Sequence, residues 1–263
     1  MRIMTCIKQV PASSKVDVDP VTGILIRDGR NAKLNPYDLY ALETSYQLKS
    51  MVPKAKLTAI TMGPPSAKSV LEEALYMGSD EAFIISDRRF AGADVLATSY
   101  TLSQLIRHLG QADIIVCGKQ TTDGDTAQVG PEIAEFLSIP HVPYVTDIME
   151  VNETYITVKS TYDHHEEISK IKLPCLLTVE HSKMAPRLPS YKRKVSFKDY
   201  QIKTLTLNDL DDQDPNHYGL NGSPTQVEEI FPPNKTMESK LIKGHKESLA
   251  KELFQILKTN KYL

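Results

Sequence analysis

The sequence predicts an α/β protein built on a doubly wound, mostly parallel sheet, with an antiparallel addition and an extended C-terminal arm. Two observations predict it. From the start to about residue 140, strand-like and helix-like runs alternate. The strand-like run at 113–117 then leads into a loop of small polar residues that opens a helical pattern, where such sheets hold an anion.

Residues 3–10 read as the first strand. Asn35-Pro36-Tyr37-Asp38 is a helix start, with Asn as N-cap, Pro at the first helical position and an acid in the first turn. Leu39, Leu42 and Tyr46 supply its apolar stripe. Residues 57–62 form the second strand, and Ser66 is expected to cap a helix with Val70, Ala74 and Met77 on one face. Residues 82–85 form the third strand, Asp94 caps a helix reaching about Leu109, and residues 113–117 form the fourth strand. Thr126 is expected to cap a helix carrying Val129, Ile133 and Leu137 at helical spacing. After Pro140 the rhythm changes to short strands at 147–151, 155–160, 166–172 and 175–179, the first two joined at Asn152-Glu153.

The domain reading is therefore a nucleotide-binding domain over 1–180, a basic loop over 181–200 and an arm over 201–263. Asp, Asn, Gly and Pro dominate 207–235, so that stretch should not pack as an independent core. Residues 237–257 return to an amphipathic pattern with Leu241, Leu249, Leu253 and Leu257 as apolar points. Such an arm suggests wrapping around another subunit; folding back on its own domain is the alternative.

With 263 residues and 41% hydrophobic content, the chain can bury one substantial core. Its formal net charge of -2 argues against nucleic acid as the main partner. No run approaches the length of a membrane span, and the N-terminus lacks the pattern of a secretory signal. Cys6, Cys117 and Cys175 each sit in an apolar run without metal-ligand spacing, which reads as reduced core thiols in a cytoplasmic protein.

Four segments should converge beyond the carboxyl ends of the strands: Cys6 to Gln9, Asn35 to Asp38, Met62-Gly63-Pro64, and the loop Gly118, Lys119, Gln120, Thr121, Thr122, Asp123, Gly124, Asp125, Thr126, Ala127, Gln128 and Val129. The loop lacks both the Gly-Lys-Ser/Thr ending of a P-loop and the GxGxxG spacing of a dinucleotide fingerprint. Its glycines and free helix-end N–H groups still suit a pyrophosphate, with Lys119 adding charge. Asp123 and Asp125 would repel phosphate, so they brace the loop by bonding backbone N–H groups, or else address ribose hydroxyls or a metal. His164, His165, Glu166 and Glu167 offer only two ligands per strand face and read as a solvated edge or turn. No nucleophile–base set has a coherent placement. The basic stretch 183–198 carries Met184, Leu188, Pro189 and Tyr191 among its charges, as a docking element would; a solvated charged surface is the alternative.

In order along the chain, Cys6-Ile7-Lys8-Gln9-Val10-Pro11, Asp19-Pro20, Arg27-Asp28-Gly29, Asn35-Pro36-Tyr37-Asp38, Ala41-Leu42-Glu43, Thr61-Met62-Gly63-Pro64-Pro65, residues 78–81 and the 118–131 loop resemble the β subunit of electron-transfer flavoproteins. The wording Asp-Gly-Asp-Thr-Ala-Gln-Val-Gly-Pro at 123–131 resembles the bifurcating members, as does Gly222-Ser223-Pro224-Thr225; simple carriers hold AMP here and bifurcating members a second FAD. The resemblance implies that this subunit binds FAD, takes a hydride from NADH, and splits the pair between ferredoxin and the α-subunit FAD, which feeds a partner dehydrogenase acting on an acyl-CoA, an enoyl-CoA or a hydroxy acid. AMP as a structural ligand, or a non-redox nucleotide-binding module, are the alternatives. By the same resemblance, Cys6, Asn35 to Asp38, Met62 and Gly118 to Val129 match nucleotide-contacting segments, while Arg187, Leu188 and Pro189 match the loop that grips the dehydrogenase. The arm would pack on the α subunit.

Overall fold

The computed structural model describes residues 1–12, 32–180, 185–226 and 241–263. Expectations resting on Asp19-Pro20, Arg27-Asp28-Gly29, Lys183, Met184 and Met237 lie outside the described residues. The first compact unit is Met1–Gln226 and the second Val227–Leu263.

The first unit is organised by a nine-stranded sheet in the order β11-β5-β4-β1-β6-β10-β7-β8-β9. Its members are β1 (Arg2–Cys6), β4 (Lys56–Met62), β5 (Glu81–Ile85), β6 (Ile114–Gly118), β7 (His141–Val151), β8 (Tyr155–Thr161), β9 (Glu166–Lys172), β10 (Cys175–Val179) and β11 (Lys203–Leu205). Strands β11 through β7 run parallel, and β7-β8-β9 is the antiparallel addition. The run at 3–10 is two strands, not one: β1 stops at Cys6, and β2 (Gln9–Pro11) turns away to pair antiparallel with β3 (Ala32–Leu34). β7 is also longer than its pattern, because its first half pairs with β10 and its second with β8.

Period-two alternation sends side chains to two covered faces. Ile3, Leu57, Ile114 and Val116 pack under α1 (Pro36–Met51) through Ala41 and Leu48, and Ala59, Ala82 and Ile84 pack under α2 (Lys68–Met77). Met4, Cys6, Ile60, Ile115 and Cys117 meet α3 (Val95–Leu109) and α4 (Val129–Leu137) on the other face. Helices on both faces make the sheet doubly wound, as expected. All three cysteines are buried free thiols.

Several helix starts differ from expectation. Asp94 does cap α3, accepting from Ala97 N–H at 3.1 Å. Ser66 does not cap α2: it lies in a 3-10 turn (Pro65–Ala67), and its hydroxyl donates to Gln9 Oε1. Asn35 makes no side-chain cap, because its amide is drawn 85 residues along the chain to Gln120. α4 starts at Val129 rather than behind Thr126, since Asp125 (φ 51°) and Ala127 (φ 55°) are left-handed and cannot belong to a helix.

The arm boundary moves as well. Residues expected to leave the domain at 201 add β11 to the sheet edge and drive Leu205, Leu207, Leu210 and Tyr218 into the core that holds Phe90 and Leu102. The polar composition of 207–223 misleads because a few apolar anchors suffice when the remaining polar groups bond one another. Asp212, for example, accepts from Tyr100 Oη at 2.5 Å and meets His217 Nδ1 at 2.6 Å. The second unit carries α6 (Lys246–Thr259), which exposes Leu253 and Phe254.

Candidate functional site

The chain reaches β4 on one side of β1 and later β6 on its other side, so the order reverses at β1. A doubly wound sheet leaves a crevice beyond the carboxyl ends of its strands at that point. Cys6 and Cys117 are register partners there, both facing the α3–α4 side. Contact with Cys6 and then burial hold the Cys117 thiol well above its usual range, so it stays protonated. Met62 and Val129 pack beside them.

Three of the expected segments are bonded to one another. Asp38, in the first turn of α1, accepts from Lys8 N–H at 2.7 Å. Its other oxygen fills the space a side chain at Gly118 would occupy, so Gly118 must be glycine for β6 to end under α1. Burial pushes the Asp38 carboxyl up to about 7, opposed by its bonds to the Lys8 backbone and Asn35 and by the Lys8 charge. Asn35, fully buried, donates from Nδ2 to Gln120 O at 2.8 Å, and its Oδ1 has no hydrogen-bond partner among the described residues. Gln120 Nε2 donates to Asp125 Oδ1 at 2.9 Å and to Tyr37 Oη at 3.4 Å. Pro36 sets the start of α1 that places Tyr37 and Asp38.

The acids of the loop are braced, by a backbone N–H at Asp123 and chiefly by side chains. Lys8 Nζ lies 2.9 Å from both oxygens of Asp123, and that cation helps hold the carboxyl below its ordinary range against burial. Lys119, expected to address an anion, is held by Glu180 at 2.8 Å and lies 4.8 Å over the Tyr144 ring. Lys8 and Glu180 are thus the electrostatic partners that sequence reasoning gave no role. Lys8 does sit within a segment expected to converge; Glu180 carried no signal, since its place depends on β10 lying beside β6.

What the loop presents outward is small and polar. Thr122, Gly124, Thr126 and Gln128 are exposed, as are the engaged Asp123 and Asp125, and Thr121 is half-buried. At Gly124 a Cβ would come within 3.3 Å of the Thr121 hydroxyl, closer than ordinary contact, so the glycine leaves that hydroxyl uncrowded. The left-handed Ala127 costs about 1–2 kcal/mol, strain of the kind that collects at ligand loops. It delivers the chain into α4, whose first N–H groups lack intrahelical partners. Gly130 in that first turn is pressed against the Thr178 methyl group, where no side chain fits. Helix end, glycines and hydroxyls together suit a pyrophosphate and its ribose. Among the described residues, no cluster of three or more His, Cys, Asp or Glu could hold a metal, and His164 and His165 lie exposed in the β8–β9 turn.

The residues expected to dock a partner lie elsewhere. Arg187 is half-buried against Glu43, whereas Leu188 and Pro189 stand exposed. A second, unpredicted concavity of about 500 Å³ is lined by Leu96, Tyr100, Phe136, His217 and Pro224, behind the Gly222-Ser223-Pro224-Thr225 segment. That segment is bonded to the start of α3: Ser223 Oγ accepts from Asp94 N–H, and Thr225 donates to Asp94 Oδ2.

This combination of sheet, loop and fold-back strand has clear relatives. The model of the electron transfer flavoprotein domain matches residues 22–205. Electron transfer flavoprotein subunit beta of Clostridium acetobutylicum is 43% identical over 95% of this chain and 93% of its own length. Caffeyl-CoA reductase-Etf complex subunit CarD of Acetobacterium woodii is 41% identical over 93% of this chain and 92% of its own. Protein FixA of Sinorhizobium fredii is 38% identical over 96% and 92%. With one family matched over most of its length and such relatives aligned end to end, this chain belongs to the electron transfer flavoprotein family as a β-subunit member.

Proposed function

We propose that this chain pairs with an electron transfer flavoprotein α subunit and holds FAD in the crevice at β1, as part of an NADH-oxidising, electron-bifurcating complex of the cytoplasm. The observation that carries the cofactor reading is the loop surface at Gly124. Asp123 and Asp125 are engaged by Lys8 and Gln120, so the glycine and the flanking threonines form the face offered to a ligand. Lys8 offsets the Asp123 charge beside that face, and Gly124 adds no further carboxylate to it. Bound FAD would supply hydride acceptance from NADH and one-electron transfer, one electron toward ferredoxin and one toward the α-subunit FAD.

The protein's own contribution is to bind and orient. The first turn of α4 and the Thr121, Thr122 and Thr126 hydroxyls would hold the pyrophosphate, and Tyr37, Gln120 and Asp125 would border the ribose side. Cys6, Cys117, Met62 and Val129 form the apolar floor. Names among the relatives support a reductase partner: CarD is named for a caffeyl-CoA reductase-Etf complex. Exposed Leu188 and Pro189, held by Arg187, form the docking element for a flavin-dependent dehydrogenase.

The test is a cofactor count on the copurified heterodimer. Two flavins per heterodimer are expected; one flavin with stoichiometric AMP would replace this reading with that of a simple carrier, and none with that of a nucleotide sensor.

A further inference from the structure

Glu43 is a carboxylate that a chain would not bury without cause: it sits in the middle of α1 and is 2% exposed. Its main partner lies 144 positions along the chain. Arg187 donates its main-chain N–H to Oε2 at 3.0 Å, Nε to the same oxygen at 2.8 Å, and Nη2 to Oε1 at 2.7 Å. The guanidinium carbon lies 3.2 Å from the centroid of the Tyr46 ring, one turn along α1. The main-chain bond matters most, because it fixes the path of the loop and not merely one side chain.

A second anchor follows at Ser190 and Arg193. Ser190 N–H donates to Tyr76 O at 3.0 Å, and its hydroxyl caps α5 (Tyr191–Ser196). Arg193 Nε donates to Leu75 O at 2.7 Å, and Nη2 donates to Ser79 O, both at the end of α2. Between the two arginines, Leu188 is 86% and Tyr191 80% exposed. Exposed apolar side chains thus stand on a backbone tied at both ends. A buried ion pair is a poor source of net stability but a strong constraint on geometry. Prior ordering of a loop lowers the entropy lost when a partner binds it.

We infer that Glu43 is a positioning residue that pre-orders the Leu188-Pro189-Tyr191 element for its protein partner, acting through Arg187. The inference rests on the docking reading of that element. Since α1 also carries Asp38 beneath the 118–129 loop, one helix supports both the nucleotide site and the docking element.

The test uses the intact heterodimer with α subunit and bound cofactor. Glu43→Gln keeps the side-chain shape and removes the charge. Amide exchange over 187–193 should quicken on the order of tenfold, the worth of charged hydrogen bonds, with flavin content unchanged. Wild-type exchange in that variant overturns the inference. Function is read with the dehydrogenase that copurifies with the native complex: the variant should raise its apparent KM at unchanged kcat. Leu188→Ala should raise KM while leaving exchange at wild-type rates. If Leu188→Ala leaves KM unchanged, the docking reading fails, and with it the role assigned to Glu43, even where exchange shows the loop ordered. If Leu188→Ala raises KM and Glu43→Gln quickens exchange without raising it, pre-ordering is irrelevant and the inference falls alone. The double variant Glu43→Leu, Arg187→Met separates fold from position. It should recover thermal stability but not the low KM; recovery of both would make the pair merely structural.

Discussion

Replacing Asp38 with Asn tests whether a buried carboxyl braces the site at the cost of ionisation. Asp38 is 4% exposed, tied to Lys8 N–H and pressed against Gly118, with its carboxyl pushed up to about 7 from 3.8. Between those values the folded chain holds a proton that the unfolded chain has released. The stabilisation is therefore complete below about pH 4 and is lost as pH rises to about 7, with a slope near 1.4 kcal/mol per pH unit. Roughly three pH units give about 4 kcal/mol in total. The amide of the Asp38→Asn variant would keep one oxygen for Lys8 N–H and nearly the same shape, so any lost hydrogen bond adds an offset of about 1 kcal/mol that does not vary with pH. The assay is urea unfolding of the nucleotide-free protein at half-unit steps from about pH 4 to about pH 8, because bound ligand would add its own stability. The difference between Asp38→Asn and wild type should move about 4 kcal/mol in the variant's favour across the window and be flat above about pH 7. Parallel curves would refute the reasoning, since other titrating groups cancel in the difference.

Three further outcomes follow from the same contacts. Gly118→Ala should destabilise the protein by about 1–3 kcal/mol and lower nucleotide occupancy, because the added methyl displaces Asp38 and the start of α1; unchanged melting would show that the helix can yield. Gly124→Asp should lower β-site flavin stoichiometry in the heterodimer with little change in its melting temperature, since the added Cβ meets the end of one short side chain, Thr121, and no backbone; a full complement of flavin would move the pyrophosphate off this loop. Tyr218→Ala should cost about 3–5 kcal/mol in chemical denaturation, since its ring packs 5.4 Å from both Phe90 and Tyr100 and its hydroxyl donates to Asp212 O. A loss below about 1 kcal/mol would mean that residues 203–223 do not belong to the core.

The parts of the site that could be read in advance are those set by local chemistry. Asn35-Pro36 announces a helix start and Gly118 to Val129 a strand-to-helix loop, whatever the rest of the chain does. Asp94 caps as its spacing requires. Misreadings arise where a distant partner outcompetes the local one: Asn35 gives up its cap for Gln120, Lys119 turns to Glu180, and Ser66 turns to Gln9. Arg187 reads in the sequence as part of an exposed docking surface, yet Glu43, with no hint in its helical context, draws it inward.

Sequence by itself determined the layered α/β plan, the crevice at the reversal of strand order and the family, because periodicity and local turn chemistry act over a few residues and survive any arrangement of the rest. Only the tertiary structure decided which charges face one another. It paired Asp123 with Lys8 and Glu43 with Arg187, buried Asp38 against a glycine, and returned residues 203–223 to the sheet edge. Those outcomes depend on groups far apart in the chain meeting in a place that excludes water, and no pattern along the chain encodes the dielectric of the place where they meet.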